Sequence, residues 1–404
     1  MITLSDIEAA RDRIGNAIYR TPCTRTEHFT SAIKARALYA KLENLQRTGA
    51  FKERGALNKL LTLTAEERMR GVITASAGNH AQGLAYHAGR LGIEATIVMP
   101  ERTPLIKVTS TRSYGAKVLL HGANFDEAYE RALLIQAEEN RVFVHPFNDE
   151  VIIAGQGTLG LELLEQVPDL DVVVMPIGGG GLMAGAALAI KSLKPSVRVV
   201  GVQSANLASM KAAIAAGKPV QLDAGSSVAD GIAVRTSGTI TFELVRKYVD
   251  EIVTVDEEEI ANAILLLLER EKTVVEGAGA VPLAALLNGK VTGIEDKVVC
   301  MVLSGGNIDV NLISRIIERG LVKDGRLVRL TVKLPDRPGS LARLTAALAD
   351  YGANVVEIYH NRAFSRAALG DVQVEATLET RGRAHIEDLK VGLASKGWQV
   401  QEET

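Results

Sequence analysis

From about Leu38 to Leu321 the chain alternates short runs rich in Val and Ile with longer stretches whose apolar residues recur at three- and four-residue spacing. The runs 71–74, 95–99, 117–120, 172–177, 197–202 and 298–303 read as strands buried on both faces, being short, β-branched and closed by Gly, Pro or polar residues. Segments 127–140 and 257–272 carry the helical spacing, the second with Ile260, Ile264, Leu267 and Leu268 along one face. Strands alternating with helices predict an α/β architecture, a mainly parallel sheet covered by helices. The first residues, MITLSDIEAARDR, read as a helix capped near Ser5.

Between about 320 and 329 the pattern changes through a Gly-containing polar stretch. Leu330, Val332 and Leu334 alternate as a strand, AspArgProGlySer (336–340) forms a turn, and Leu341, Leu344 and Leu348 line one face of a helix. Strands at 354–360 and 372–378, a helix carrying Ile386, Leu389 and Leu393, and a last strand near 398–400 complete a βαββαβ, ferredoxin-like order. The chain therefore divides into an α/β part, residues 1–320, and a smaller unit, residues 327–404, with both helices on one sheet face.

Composition narrows the ligand. The sequence balances 46 Lys and Arg against 48 Asp and Glu, for a net charge of −2, with no basic surplus to meet a phosphate backbone or an anionic membrane. A small molecule is the expected partner, and neither nucleic acid nor membrane is. The longest aliphatic stretch in a predicted helix, 264–268, is closed by Glu269 and Arg270, far short of the roughly 20 residues of a membrane span. Acidic residues interrupt the N-terminus where a signal peptide needs an apolar run, so export is not expected. Cys23 and Cys300 are the only cysteines and suggest neither a disulfide framework nor a zinc site, which fits a reducing cytoplasm.

Four segments of the α/β part carry candidate chemistry. GAFKERGA (49–56) places Lys52 after an aromatic residue at a predicted helix start; such a lysine is either an ordinary surface side chain or an amine that joins a carbonyl cofactor and later acts as base. TASAGNHAQG (74–83) follows a strand, and its small residues let backbone N–H groups face an anion at the start of the next helix, with Asn79 and His80 adding side-chain donors. Gly178 to Gly181, before Leu182, offer the same close approach at the end of another strand and suit a phosphate. A dinucleotide would ask for an acidic residue at the end of the following strand, where Gln203 and Ser204 stand instead. LSGGN (303–307) brings Ser304 to the crevice beyond a strand's C-terminal end.

In this order the four segments resemble the threonine dehydratases of the tryptophan-synthase-β-like, type II pyridoxal-phosphate enzymes, over about the first 320 residues. The resemblance implies two open α/β subdomains, the smaller (about 71–148) inserted in the larger, and pyridoxal 5'-phosphate as cofactor. It implies that Lys52 is bound to the cofactor, that Phe51 lies beside its ring, that Asn79 bonds the ring oxygen, and that Gly178, Gly179, Gly180, Gly181 and Leu182 hold the phosphate. Ser304 would face the pyridine nitrogen, and Ser76, Asn79 and His80 would hold the substrate carboxylate. The activity implied is dehydration and deamination of L-threonine, and of L-serine, to a 2-oxo acid and ammonia. A neutral serine at the nitrogen weakens the ring as an electron sink, which favours prompt loss of a β-hydroxyl over a long-lived carbanion.

Alternatives are a serine racemase or another β-eliminating enzyme of the same fold, and a non-catalytic amino-acid sensor. By resemblance a racemase places a second serine where this chain has Ala77, and a metal-binding glutamate near Gln203, so no metal site is expected. Glu276, in GluGlyAlaGlyAla (276–280), reads either as a residue near the cofactor or as a helix cap. The last 75 or so residues resemble an ACT domain. That implies a homo-oligomer, dimer or tetramer, with an amino-acid effector site rimmed by 336–340 and the strand near Asn354; intact Lys52 argues against a sensor without activity.

Overall fold

In the computed structural model, which describes every residue except 1, 224, 362–369 and 404, contacts divide the chain into Met1–Ile308 and Asp309–Thr404. The first unit holds a six-stranded sheet in the order Cys23–Arg25, Ala37–Lys41, Val298–Val302, Val172–Pro176, Arg198–Ser204, Glu251–Val255. Only the short Cys23–Arg25 strand runs antiparallel to its neighbour. Val173, Met175, Val199, Cys300 and Val302 bury one face under helices Leu4–Ile14, Glu150–Gln166 and Gly181–Leu193. The first helix starts at Leu4, beside the expected Ser5, with Thr3 as its cap and Asp6 reaching back to accept hydrogen bonds from both N–H and O–H of Thr3.

A second, wholly parallel sheet, in the order Lys117–Leu120, Ala95–Met99, Val72–Ala75, Val142–Phe143, is inserted between Ala37–Lys41 and Val172–Pro176. Its central strands are buried throughout because both faces are covered, with Thr74 and Thr96 their only polar residues. Val72, Ile97 and Met99 pack on Leu84 and Ala88 of helix Asn79–Arg90, while Ile73, Ala75 and Val98 pack on Ala128, Ala132 and Ile135 of helix Phe125–Glu139.

Two features fix helix Lys52–Thr62, which carries the candidate lysine at its first position. The first is glycine. Where this helix crosses Glu150–Gln166, a Cβ built on Gly155 would lie 2.6 Å from Cα of Gly55, so the two backbones touch. The second is a buried charge network that the sequence reading did not find. Arg54 is fully buried, with Nε donating to Glu43 Oε2 at 2.8 Å and Nη1 to Glu162 Oε1 at 2.6 Å; Lys41, equally buried, donates to Glu162 Oε2 at 2.7 Å. Both cysteines are free, with Sγ atoms 3.8 Å apart.

The second unit is an antiparallel sheet in the order Asn354–Asn361, Asp371–Glu379, Leu327–Pro335, Gln399–Glu403. Leu330, Val332, Val374 and Ala376 bury its core face beneath Leu344 and Leu348 of helix Ser340–Asp350 and Ile386, Leu389 and Leu393 of helix Arg383–Ser395. The order is the expected βαββαβ. The division falls at Ile308, ahead of the expected boundary at 320, because helix Val310–Lys323 groups with this unit and lies against Leu327–Pro335. Among the described residues no helix is long and apolar enough to cross a membrane.

Candidate active site

Gly49 opens the site. Its φ of +74° suits glycine, and a Cβ there would collide with the Asn307 side chain. The chain then pairs with the segment after strand Val298–Val302: Phe51 N–H donates to Ser304 O at 3.1 Å, Gly306 N–H donates to Gly49 O at 2.8 Å, and Ala50 bridges Gly305. This stitching joins the first and fourth motifs and sets the direction in which Lys52 leaves the backbone. Its Nζ donates to Pro146 O at 2.8 Å and lies 5.4 Å from the centre of the Phe51 ring. Burial pushes the amine down to about 8, against the pull of the Glu276 carboxyl.

The second motif connects strand Val72–Ala75 to helix Asn79–Arg90, whose first-turn N–H groups have no intrahelical partners. Ser76 Oγ accepts from Gly78 N–H at 3.3 Å. Asn79 is tied at both ends of its amide, donating through Nδ2 to Glu276 Oε1 at 2.7 Å and accepting through Oδ1 from Asn307 Nδ2 at 2.8 Å. The expectation of a donor imidazole at His80 is corrected. Nε2 lies 3.1 Å from the carbonyl of Val144, which can only accept, and burial with nearby Lys52 holds the ring's pKa down at about 3. The ring's one hydrogen is therefore on Nε2, and buried Nδ1, which has no partner among the described residues, is an acceptor. What His80 offers an anion is its backbone N–H.

The third motif lies between strand Val172–Pro176 and helix Gly181–Leu193. A Cβ on Gly179 would sit 2.5 Å from the Phe147 ring, one on Gly178 2.9 Å from Ile232 Cα, and Gly180 has φ +97°. Thr241 Oγ1 holds the loop by donating to Gly179 O at 2.6 Å. This backbone cradle at a helix N-terminus, which side chains would fill, fits a phosphate.

Residues 145–148 link the motifs and were missed from sequence. The Pro146 carbonyl takes the Lys52 hydrogen bond, while the Phe147 ring lies against Gly179. His145 Nδ1 accepts from the N–H groups of Phe147 (3.2 Å) and Asn148 (2.8 Å), so the turn needs an unprotonated Nδ1; burial and Lys52 push its pKa to about 4. The signal was the Pro-containing HisProPheAsnAsp just before a helix. Glu276 was also left open. It occupies the N-cap position of helix Gly277–Leu287, yet makes no side-chain capping bond and turns instead to Asn79. Burial and Asp230 push its carboxyl up to about 7.

The four motifs thus converge: an amine of depressed pKa, a glycine cradle, a helix start and a buried serine at a strand end. A family model described as pyridoxal-phosphate dependent enzyme matches residues 14–305. The chain belongs to that family. The cradle, the amine and the Asn79 amide fit, in turn, the phosphate, the carbonyl carbon and the acceptor oxygen that such a cofactor carries. A second model, described as an ACT domain, matches residues 328–386 in the C-terminal unit. The chain is 52% identical over 401 residues to an L-threonine ammonia-lyase of Thermotoga maritima, covering 99% of each. It is 45% identical over 316 residues to a catabolic L-threonine dehydratase of Escherichia coli, covering 78% of this chain and 96% of that one. Among solved structures, maize serine racemase aligns with a TM-score of 0.75 at 35% identity, covering 80% of this chain and 98% of that one. The fold is that of the type II pyridoxal-phosphate enzymes followed by an ACT domain.

Proposed function

We infer that the protein is an L-threonine ammonia-lyase that removes water and then ammonia from L-threonine, and from L-serine, giving 2-oxobutyrate or pyruvate. The observation that carries this reading is the 52% identity to an enzyme of that name over essentially the whole of both chains. Pyridoxal phosphate, when bound, supplies a carbonyl for the substrate amine and draws electrons from Cα. The chain's residues supply the rest. Backbone N–H groups from Gly178 to Leu182 would hold the phosphate, Phe51 would flank the ring, and Asn79 would donate to the ring oxygen. The Ser304 hydroxyl would face the pyridine nitrogen without bringing a charge. Ser76, Asn79 and the backbone of His80 hold the substrate carboxylate. Lys52, the cofactor's anchor at rest, would be free once the substrate amine took its place and would accept the Cα proton on Nζ; that proton and the β-hydroxyl would be lost together as one water, and the released enamine would take up water to give the 2-oxo acid and ammonia. The site lies in a cytoplasmic enzyme on this reading.

A serine racemase is the second reading, favoured by the maize alignment. Against it, Ala77 presents a methyl packed on the inserted sheet's core, with no proton to give from the opposite face. Gln203 carries no carboxylate, and its amide is spent on Ile177 O and Lys211 N–H. L-Threonine, L-serine and hydroxyaspartate, supplied separately with oxo acid and ammonia recorded, test the assignment. L-Serine is expected to give pyruvate with little D-serine, and Ala77→Ser to raise D-serine relative to pyruvate. Natural enzyme that forms D-serine as fast as pyruvate would reverse the choice.

The ACT domain supports regulation by an amino acid in a homo-oligomer, with 336–340 and the strand from Asn354 at the effector's rim. Isoleucine and valine are the first candidates, since 2-oxobutyrate leads to isoleucine. An effector that prefers one quaternary state shifts activity only by its differential affinity, about 1–3 kcal/mol of coupling. Threonine titrations of the full chain are expected to respond to a branched-chain amino acid, and those of a chain ending at Ile308 are not. No response to any amino acid, with identical behaviour after truncation, leaves the domain a merely architectural role.

A further inference from the structure

Asn79 can present either end of its amide to a ligand, and only one end suits an acceptor oxygen. The orientation is settled by a chain of hydrogen bonds that begins at a group with no choice. The carbonyl of Thr48 can only accept, and Asn307 Nδ2 donates to it at 2.7 Å. With Nδ2 turned that way, its second hydrogen reaches Asn79 Oδ1 at 2.8 Å, which faces Asn79 Nδ2 towards Glu276 Oε1 at 2.7 Å. The Glu276 carboxyl, pushed up to about 7, accepts through Oε1 in either protonation state. Asn79 Nδ2 carries two hydrogens, so one remains after Glu276 is served. The space around the chain is fitted to it: a Cβ on Gly49 would lie 2.5 Å from Asn307 Oδ1, and one on Gly305 2.5 Å from Glu276 Oε1.

We propose that Asn307 is a positioning residue, reading its polarity from the Thr48 carbonyl and fixing Asn79 so that one Nδ2 hydrogen is held ready for an acceptor oxygen of the bound cofactor. This deepens the functional reading and rests on Asn79 as a cofactor contact. The sequence reading left Asn307 without a role, although it closes the LSGGN motif.

The test is the affinity of the full-length apoprotein for pyridoxal phosphate, followed by the visible absorption of the bound cofactor. Asn307→Asp keeps the shape but cannot donate, and it turns the Asn79 donor away from the ligand. It is expected to weaken binding about tenfold to a hundredfold and to shift the absorption band, the scale of one hydrogen bond to a charged oxygen. Asn307→Ala, which deletes the donor without adding a charge, should move both readouts the same way even if the aspartate variant fails to fold. Glu276→Gln, still able to accept from Asn79, should retain most of the affinity. Asn79→Ala should lose as much as Asn307→Ala, and the double variant no more than either, because the two act on one contact. Losses that add in full, or an Asn307→Ala protein with unaltered affinity and spectrum, would overturn the proposal. If Asn79→Ala itself changes neither readout, the cofactor contact assigned to Asn79 falls, and the relay with it; that result is distinguishable because it appears without any change at Asn307.

Discussion

Lys52→Ala is expected to abolish steady release of 2-oxobutyrate, with a loss of roughly ten-thousandfold or more, since it removes a proton acceptor that commonly contributes up to about that factor and also the covalent anchor. The geometry explains why neither neighbouring imidazole can substitute. The amine is half free at about pH 8 rather than at the ordinary 10.5, because burial disfavours its charged form. The two nearby imidazoles are spent otherwise: His80 on the Val144 carbonyl and His145 on two backbone N–H groups. Cofactor can still settle on the glycine cradle, so the variant should bind pyridoxal phosphate non-covalently while failing to turn over. Lys52→Arg, which keeps a cation but no accessible base, should be equally inactive. Turnover like that of the natural enzyme in either variant would defeat the assignment of Lys52.

Arg54→Ala is expected to destabilise the protein by about 3–5 kcal/mol, read from the denaturant midpoint. Arg54 supplies Nε and Nη2 to Glu43 and Nη1 and Nη2 to Glu162. Without it, fully buried Glu43 keeps only neutral donors, Thr21 and Gln46. Burial by itself pushes the Glu43 carboxyl up, and at present Arg54 and Lys41 outweigh burial and hold it below the usual range. Its stabilising contribution is therefore present above the unfolded pKa and lost only as pH falls through the lowered folded value. In the variant the sign reverses. With Arg54 gone and only Lys41 and Thr21 left to oppose it, burial raises the folded pKa, so the protonated carboxyl is tolerated at low pH and the penalty grows as pH rises through that value. The deficit relative to the natural protein should accordingly be larger near about pH 8 than near about pH 5. A deficit independent of pH would show that lost packing, rather than a stranded carboxylate, is the cause.

Much of the architecture was legible because the strands are short β-branched runs between breakers. Ala95–Met99 and Lys117–Leu120 stand where the pattern put them. Val142–Phe143, two residues long, and CysThrArg at 23–25 have no periodicity to read; each is a strand only because a neighbour offers its edge. Helix Val310–Lys323 is amphipathic and satisfies either side of a boundary, so the pattern alone did not assign it to the second unit. In the site, glycines and the lysine were visible because their chemistry lies in residue type. The Pro146 carbonyl was not, since any residue has one. Glu276 stayed open between a cofactor neighbour and a cap because its position is also that of a cap, and only the fold shows its side chain turning to Asn79, 197 positions away. His80 was misread for the same reason: its type announced a donor, and the Val144 carbonyl had already taken the hydrogen.

The place of Val298–Val302 in the larger sheet orders the protein's own birth. That strand lies between Ala37–Lys41 and Val172–Pro176, which do not touch each other in the sheet. As the chain leaves the ribosome, both neighbours emerge long before the strand that joins them, so the sheet waits as two fragments with bare inner edges. The residues arriving next are Leu303 to Asn307, so one event both zips the sheet and installs the last wall of the pocket. A nascent chain that stops short of Val298 holds Lys52 but has nothing to close around a cofactor. Until then two strand edges, Ala37–Lys41 and Val172–Pro176, stay open to pairing with another chain.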